Sequence, residues 1–346
     1  MRKLFLLFLP LTSLFGQIPT YYNGIDFSQD GTTLQDQLSN LVVATHAVEL
    51  IYTPQVWEAL KQSDLDPQNP ENVFLIYGQS NDNPETKFHR TRDVDLSCHT
   101  NSCAGKWVRE HVFPKSLGNP SFENEGPGAD AHSIRSIDSQ MNNSRSNRKF
   151  VEGNGLSFID PQGFFFPGEE WKGDVARMMM YMHIRYPLRC KASFVAISSY
   201  TYNDEMPDIF LQWNAEDPVS EHEIVRNQVL QQMQGNRNPF IDNPYLATVL
   251  WGGPEAENSW TEMNVSETIL PKTEVYPNPV SNVLKINSNK QIQSISIYNM
   301  DGTSMISKQK WENKPINVSN FTNGAYFLLI YYADNTKESQ KFIVKK

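Results

Sequence analysis

Two neighbouring segments decide how the centre of this chain folds: Arg109-Glu110-His111-Val112-Phe113-Pro114-Lys115-Ser116 and, about thirty residues later, Met141-Asn142-Asn143-Ser144-Arg145-Ser146-Asn147. Residues 107–113 have the composition of a strand that ends at Pro114, and the polar stretch around Asn142 can begin a helix. Because successive side chains of a strand point to opposite faces, Glu110 and His111 would meet different surroundings. We therefore predict a strand that presents a carboxylate to one side and an imidazole to the other, followed by a helix.

This combination of side chains suits the hydrolysis of a phosphodiester. The reaction needs a group that deprotonates water, and positive charge that stabilises the phosphate oxygens and the leaving oxygen. A neutral imidazole, here His111, suits the first task. Mg²⁺ suits the second and needs only one or two protein oxygens, which Glu110 and Asn142 could supply; Mn²⁺ and Ca²⁺ are alternatives. On their own, the same residues also fit an ordinary polar histidine and a helix-capping asparagine.

Further charged residues surround these segments. Asp130 and His132 could hold the neighbouring side chains in place from behind the site. Residues 105–191 hold 12 Lys/Arg and 10 Asp/Glu, a local charge of +2. Phosphate donors would come from four cationic residues, namely Arg135, Arg145, Arg148 and Lys149.

The charge of the whole chain restricts how a nucleic acid could bind. The chain has 346 residues and a net charge of −9, and residues 274–346 carry nine Lys and no Arg against five Asp/Glu. With Arg2 and Lys3 near the N-terminus, this leaves −15 for residues 17–273. Because that region as a whole repels a polyanion, a generally basic nucleic-acid-binding protein is excluded and contact is restricted to a local basic patch.

The N-terminus has the pattern of a secretory signal. Arg2 and Lys3 precede a short apolar run at residues 4–15, and the small Gly16 is a plausible cleavage point. A membrane anchor is the alternative, but the apolar run is far shorter than the roughly 20 residues of a spanning helix. We expect no stable membrane insertion.

The three cysteines fit an exported protein. Cys98 and Cys103 have a spacing that can close a small disulfide loop. The alternative is a zinc site that includes His99, although only three soft ligands are near each other there. Cys190 is left over, and we expect it to be a buried thiol.

The pattern along the chain predicts an α+β fold with two domains. Apolar residues at helical spacing predict helices within residues 31–62, and residues 73–77 resemble a short strand. Residues 172–183 predict a buried helix whose methionines fill the core, and residues 205–251 predict two or three more helices. Residues 253–273 are polar and acidic, as in a linker, and the β-rich segment after them is long enough for a small sandwich.

The chain resembles the endonuclease I family of secreted and periplasmic bacterial nucleases. The resemblance lies in blocks at residues 109–116, 130–132, 142–147, 172–177 and 211–242, which together span roughly residues 35–252. One departure is Asp130-Ala131-His132-Ser133-Ile134, where the family commonly has Asp-Leu-His-Asn-Leu. We interpret the last block, Arg237-Asn238-Pro239-Phe240-Ile241-Asp242, as a structural corner rather than as a catalytic segment.

The resemblance implies a mainly helical domain with a ββα-metal (His-Me finger) active site. It also implies Mg²⁺-dependent cleavage of DNA, often of RNA as well, with little sequence preference and 5′-phosphate products. By position, His111 would be the general base, and Glu110 and Asn142 would be the metal ligands. Arg145 and Asn147 match family positions too, and we take Arg145 as a second catalytic residue.

The C-terminal segment resembles a different module. Residues 275–280, Val-Tyr-Pro-Asn-Pro-Val, then Gly324-Ala325-Tyr326 and a last strand that ends in lysine, are similar to the C-terminal sorting domain of the type IX (Por) secretion system. The implied partner of residues 274–346 is the secretion machinery, and the implied location is the extracellular medium or the outer cell surface. A small adhesive or nucleic-acid-binding β-domain is the alternative.

Together, these observations predict a signal peptide at 1–16, a nuclease domain at 17–252, a linker at 253–273 and an all-β sandwich domain at 274–346, in a monomeric protein. The predicted function is that of a secreted, metal-dependent endonuclease that acts on DNA. The alternatives are an extracellular ribonuclease or phosphodiesterase with the same site, and a non-catalytic, surface-displayed nucleic-acid-binding protein.

Overall fold

A computed structural model describes residues 17–29, 31–100, 102–260, 273–288, 290–299, 303–333 and 337–346. The chain divides into two compact units, with the division between residues 264 and 265. The expected signal peptide, residues 1–16, lies outside the described residues. Within the described ranges, no helix combines the length and the apolar character needed to cross a membrane.

The first unit combines helices with short antiparallel strands. Its helices are α1 (Gly31–Thr45), α2 (Gln55–Ser63), α3 (Ser139–Arg145), α4 (Lys172–Arg185), α5 (Asp208–Glu216), α6 (Glu221–Gln234), α7 (Pro239–Asp242) and α8 (Tyr245–Trp251). Its strands are β1 (Leu65–Asp66), β2 (Asn69–Phe74), β3 (Thr91–Asp93), β4 (Trp107–His111), β5 (Ile134–Asp138), β6 (Phe158–Ile159) and β7 (Phe165–Phe166). Four described helices follow residue 205, whereas the sequence predicts two or three. The additional helix is the single turn α7, which Asn238 caps.

Helix α4 lies at the centre of the core. Twelve of its fourteen residues are buried, including the methionines, as the sequence predicts. From α1, Leu34, Leu38 and Val42 join the same apolar core, one helical turn apart. The mainly helical character of this unit is therefore confirmed, and the core is built on one fully buried helix.

The strand predicted at residues 73–77 ends earlier than expected. Strand β2 stops at Phe74, and Tyr77 has a φ of 67°. That left-handed conformation cannot continue a strand, so the chain turns away before Gly78. The turn is buried all the same: Leu75, Ile76 and Tyr77 are each no more than 1% exposed.

Buried ion pairs connect helix α4 to strand β5 and to helix α6. Arg135 on β5 contacts Asp64 at 3.1 Å and Asp174 of α4 at 2.8 Å. Arg177 of α4 donates two hydrogen bonds to Glu223 of α6, at 2.7 and 2.8 Å. A buried charge without a partner destabilises a fold by several kcal/mol, so these pairs fix the relative positions of the elements that carry them.

Part of the predicted linker belongs to the first unit. Trp260 is 3% exposed, and its ring lies 4.9 Å from that of Tyr22 and 5.5 Å from that of Phe27. Ala256 is buried as well. The linker interpretation of residues 253–260 therefore differs from the structure, because a tryptophan anchors this acidic segment to the core; residues 261–272 lie outside the described residues.

The second unit is all-β, as predicted. Its strands are β8 (Glu274–Tyr276), β9 (Val283–Asn287), β10 (Ile292–Asn299), β11 (Ser304–Lys310), β12 (Ile316–Asn317), β13 (Gly324–Tyr332) and β14 (Lys337–Val344). They form an antiparallel sheet in the order β11-β10-β13-β14 and a second sheet in the order β12-β9-β8. Leu284 of one sheet shares an apolar core with Ile297 and Leu328 of the other, which is the packing of a small sandwich.

The cysteines adopt the predicted states. Cys98 and Cys103 form a disulfide, and Cys190 is a buried free thiol. The carbonyl oxygen of Cys103 also accepts a hydrogen bond from Ser139 Oγ at 2.5 Å, so the disulfide loop contacts the first residue of α3.

Candidate active site

The two segments singled out in the sequence form a ββα element. Strands β4 and β5 pair in antiparallel fashion and are joined by residues 112–133, and α3 begins directly after β5. Asp138, the last residue of β5, caps α3 by accepting hydrogen bonds from two backbone N–H groups of its first turn, at 2.7 and 3.1 Å. The strand and the helix are therefore rigidly connected, and the site lies between them.

Glu110 and His111 meet different surroundings at the end of β4. Glu110 is 4% exposed and contacts Arg145, whereas His111 is half-buried and contacts Tyr52 and Gly128. This divergence is what the alternation of strand side chains predicts. The carboxylate and the imidazole of this dipeptide therefore have different contacts.

His111 is held in one orientation by two contacts. Its Nε2 lies 2.9 Å from the carbonyl oxygen of Gly128, and its ring stacks on Tyr52 with centroids 5.5 Å apart and planes 27° apart. Because a carbonyl oxygen only accepts hydrogen bonds, Nε2 carries the hydrogen and Nδ1 carries the lone pair. Burial lowers the pKa of His111 to about 4 and outweighs the hydrogen bond to Gly128, which raises it. The imidazole is therefore neutral near pH 7 and able to accept a proton.

Glu110 lies between two buried side chains. Its Oε1 is 3.2 Å from Nε of Arg145, and the hydroxyl of Tyr77 lies 3.5 Å from the same oxygen. Burial raises the pKa of Glu110 to about 7, and Arg145 opposes that rise. Among the described residues, no hydrogen bond reaches Oε2. A further positive charge near Oε2 would stabilise the ionised carboxylate.

Asn142 of α3 shares an open cavity with these residues. The cavity has a volume of about 520 Å³ and is lined by residues 109–111, 114–116, 142–143 and 146–147. In the part of the chain that the structure describes, the side chain of Asn142 makes no hydrogen bond. Asn147 also lines the cavity and donates from Nδ2 to Ser116 Oγ at 3.2 Å. Glu110, His111, Asn142 and Asn147 are thus brought together as the sequence predicts.

The oxygen atoms of this cavity fit a hard divalent cation. Glu110 offers a carboxylate oxygen and Asn142 an amide oxygen, neither with a hydrogen-bond partner among the described residues. Mg²⁺ prefers oxygen ligands and keeps several of its waters. No group of three or more His, Cys, Asp or Glu side chains in the described ranges could hold a metal by itself. Such an ion would therefore take most of its ligands from water and substrate.

Arg145 does not line the cavity, in contrast to the role assigned from the sequence. It is 0% exposed, and its Nη1 and Nη2 donate to the carbonyl oxygens of Ser146 at 2.9 Å and Val112 at 2.8 Å. Its Nε faces Glu110. Since its N–H groups are directed into the protein, Arg145 positions Glu110 and the end of β4 and does not face the cavity.

The other cations expected to bind phosphate are also placed elsewhere. Arg135 is buried and paired with Asp174, and Arg148 donates to the carbonyl oxygens of Ser144 at 3.1 Å and Gly163 at 3.0 Å. Neither these two arginines nor Lys149 lines the cavity.

The cations that line the cavity are Arg109 and Lys115. Strand alternation could have identified Arg109, because it is two residues before His111 and so lies on the same face of β4. Tyr52, from the loop between α1 and α2, carries no comparable signal in the sequence. Its contact with His111 becomes visible only in the folded chain.

Asp130 and His132 do not line the cavity. Asp130 accepts hydrogen bonds from Tyr181 Oη at 2.7 Å and from Gln234 Nε2 at 3.0 Å, and its Oδ1 accepts the backbone N–H of His132 at 3.0 Å. Neither residue contacts Glu110. They instead anchor the loop that contains Gly128, whose carbonyl oxygen holds the imidazole ring.

Comparison with known proteins finds a family match in each unit of the chain. Residues 30–245 match the family described as Endonuclease I, and residues 274–345 match the family described as Secretion system C-terminal sorting domain. The chain is 35% identical over 244 residues to the Extracellular ribonuclease of Bacillus subtilis (strain 168), covering 67% of this chain and 78% of that protein. It is 36% identical over 244 residues to the Extracellular ribonuclease of Bacillus amyloliquefaciens, with the same coverage. It is 27% identical over 138 residues to the Periplasmic deoxyribonuclease of Aeromonas hydrophila, covering 37% of this chain and 53% of that protein.

The two matched families coincide with the two structural units. The first covers the ββα element and the helices around it, and the second covers the β-sandwich. The sorting domain indicates export to the extracellular space or the cell surface. The chain therefore belongs to the endonuclease I family and is a secreted nuclease.

Proposed function

We propose that this protein is a Mg²⁺-dependent endonuclease that hydrolyses DNA with little sequence preference and leaves 5′-phosphate ends. The observation that carries the proposal is the orientation of His111, whose Nε2 is tied to Gly128 while Nδ1 keeps its lone pair. Two oxygen donors, from Glu110 and Asn142, line the same cavity. A base and a site for positive charge are the two requirements of phosphodiester hydrolysis.

In this proposal, Nδ1 of His111 accepts the proton of the attacking water. A pKa near 4 keeps the imidazole unprotonated before the reaction. The hydrogen bond from Nε2 to Gly128 holds the ring in place and becomes stronger when the ring gains positive charge. Tyr52 restricts rotation of the ring by stacking on one of its faces. The chain thus orients the base without help from a carboxylate.

Mg²⁺ held by Glu110 and Asn142 would supply the positive charge that stabilises the phosphate oxygens and the leaving 3′ oxygen. Arg145 keeps Glu110 in position, and the capped helix α3 does the same for Asn142. Departure of the 3′ oxygen leaves the phosphate on the 5′ side, which gives the proposed products.

The lining of the cavity supports a low sequence preference. Apart from Glu110, His111 and Pro114, its side chains are those of serines and asparagines together with Arg109 and Lys115. Groups of this kind contact phosphate and sugar, which carry no direct sequence information.

RNA is the second candidate substrate. The relatives that align over 244 residues are named extracellular ribonucleases, whereas the relative named a deoxyribonuclease aligns over 138 residues. The proposed role of His111 is to activate water, so the reaction neither uses nor excludes a 2′-hydroxyl. We propose that RNA is cleaved by the same site.

We further propose that residues 274–346 are recognised by the type IX secretion machinery. The match of residues 274–345 to a secretion sorting domain supports this partner. Deleting the segment should prevent release of the nuclease from producing cells, measured as nuclease activity in the medium. Release at the normal level without the segment would contradict this role.

The decisive experiment replaces His111. His111→Ala should abolish cleavage of plasmid DNA and of RNA in Mg²⁺, while the circular dichroism spectrum and DNA binding persist. His89→Ala is the matched control, because Nε2 of His89 also contacts a backbone carbonyl, at 3.0 Å from Asn83, but the residue is outside the cavity. Activity of His111→Ala close to that of the unmodified protein would refute the proposal. Parallel assays on duplex DNA, single-stranded DNA and RNA determine the substrate preference.

A further inference from the structure

Arg109 is held at the edge of the cavity by an aromatic clamp. Its Cζ lies 3.4 Å from the ring centroid of Tyr52 and 4.5 Å from that of Trp57. Nη1 donates to the carbonyl oxygen of Tyr52 and to Thr53 Oγ1, the latter at 3.2 Å. Stacking between two rings and anchoring through one nitrogen fix the plane of a half-buried guanidinium.

The remaining donors of Arg109 have no partner in the described part of the chain. No hydrogen bond is formed there by Nε or Nη2, and no carboxylate lies within ion-pair distance of the side chain. The buried arginines differ in this respect, since each of the following is paired with a carboxylate: Arg92, Arg135, Arg145, Arg177 and Arg226. An unpaired, immobilised cation is unexpected in a region whose net charge is −15.

The clamp also connects Arg109 to the catalytic base. The ring of Tyr52 contacts Arg109 and stacks on His111 as well. Both residues come from the same face of β4, two positions apart, and both line the cavity. An anion bound by Arg109 would therefore lie beside the imidazole.

We propose that Arg109 binds a phosphate group of the nucleic-acid backbone. The unused Nε–H and one N–H of Nη2 match two oxygens of one phosphate, a geometry that an ammonium group cannot reproduce. Lys115 lines the same cavity with its Nζ bonded to Asn124 Oδ1 at 2.8 Å, and it adds positive charge. This inference rests on the proposed function, because it assigns a contact to the proposed substrate.

The test measures how DNA binding depends on salt. Full-length His111→Ala protein in EDTA is titrated with a fluorescent 20-base-pair duplex at several NaCl concentrations. Each phosphate contact contributes about 0.9 to the slope of log K against log salt on duplex DNA. In this background, Arg109→Gln should therefore reduce the slope by about 0.9, whereas Arg109→Lys, which keeps the charge, should retain the slope but bind more weakly. Arg109→Met repeats the neutral substitution and preserves the packing between the two rings.

Lys172→Gln is the matched control. Lys172 pairs with Glu216 at 2.6 Å and does not line the cavity, so its loss should leave the slope unchanged. Thermal unfolding establishes that each variant is folded. An unchanged slope in both neutral Arg109 variants would overturn the inference, as would an equal reduction in Arg109→Lys. Failure of the His111→Ala parent to bind DNA both in EDTA and in Mg²⁺ would instead refute the proposed function itself.

Discussion

Arg145 Nε lies 3.2 Å from Glu110 Oε1, and the two side chains are 0% and 5% exposed. The other nitrogens of the guanidinium hold the carbonyl oxygens of Val112 and Ser146. One arginine thus connects a carboxylate of the cavity, the residue after strand β4 and the end of helix α3. Arg145 is therefore a positioning residue. We expect its replacement to lower the stability of the domain more than it affects the chemical step directly.

We expect Arg145→Met to lower the free energy of unfolding by about 3 kcal/mol, because it leaves Glu110 buried without its cationic partner. Combining it with Glu110→Gln should recover part of this loss, since the uncompensated charge disappears. Urea denaturation of the two single variants and the double variant measures both effects.

Arg90→Met provides the control for this prediction. Arg90 pairs with Glu170, but the side chains are 39% and 44% exposed. Solvent screens such a pair, so its loss should cost no more than about 1 kcal/mol. If Arg145→Met kept full stability and lost only activity, direct contact of Arg145 with substrate would be the better explanation.

Removing metal should stop cleavage, and adding Mg²⁺ should restore it. With Asn142→Ala, the Mg²⁺ concentration at half-maximal activity should rise at least about tenfold, because one of two protein oxygens is lost. Asn143→Ala is the matched control, since Asn143 is the next residue of α3 and also lines the cavity. Equal Mg²⁺ requirements in the two variants would argue against Asn142 as a ligand, and parallel titrations with Mn²⁺ and Ca²⁺ define the choice of ion.

A buried histidine outside the site should make stability depend on pH. His222 is 8% exposed and packs edge-on against Phe74 at 4.9 Å. Burial lowers the pKa of His222 to about 3, and the charged groups that face it are Arg135, Asp64, Arg226 and Arg90. An unfolded histidine has a pKa of about 6.5. Between these values the unfolded chain binds more protons, so this contribution to stability is lost as the pH falls below about 6.5.

His222→Phe should remove that contribution and keep the packing against Phe74. Between pH 7 and pH 5, the free energy of unfolding of the unmodified protein should fall by about 2 kcal/mol more than that of the variant. Urea denaturation at the two pH values gives the difference. Parallel pH dependence of the two proteins would show that folding does not lower the pKa of His222.

The disulfide should stabilise the domain modestly. Cys98 and Cys103 are five positions apart, so the closed loop is short, and the loss of loop-closure entropy predicts about 2 kcal/mol. The Cys98→Ala/Cys103→Ala double variant should be destabilised by that amount. It should also be insensitive to reductant, whereas reductant should lower the stability of the unmodified protein by a similar amount. Sensitivity of the double variant to reductant would point to Cys190 instead.

The parts of the site that could be predicted depend on local patterns. The alternation of strand side chains directs Glu110 and His111 to different surroundings. Because α3 begins directly after β5, Asn142 lines the same cavity as these two residues. These relations need no knowledge of distant contacts. The family resemblance identified the same residues from their order along the chain.

The parts that could not be predicted depend on contacts between distant segments. The sequence position of Arg145, next to a proposed phosphate site, predicts a hydrogen-bond donor to phosphate. Its burial instead depends on pairing with Glu110, which is 35 positions away. The position of Asp130 depends on hydrogen bonds from Tyr181 and Gln234, which lie on two different helices. The burial of Trp260 in the first unit could not be predicted either, because Trp260 lies in an acidic segment without a periodic apolar pattern around it.

Helix α4 has a consequence for a protein that works outside the cell. Its four methionines, Met178, Met179, Met180 and Met182, are no more than 3% exposed. Oxidants such as peroxide convert accessible methionine to its polar sulfoxide, which would not fit this apolar interior. As long as the domain is folded, the thioethers are shielded, and they become reactive when the core opens. The fraction of sulfoxide at these four positions would therefore report how much of the exported protein has unfolded, at least transiently, outside the cell.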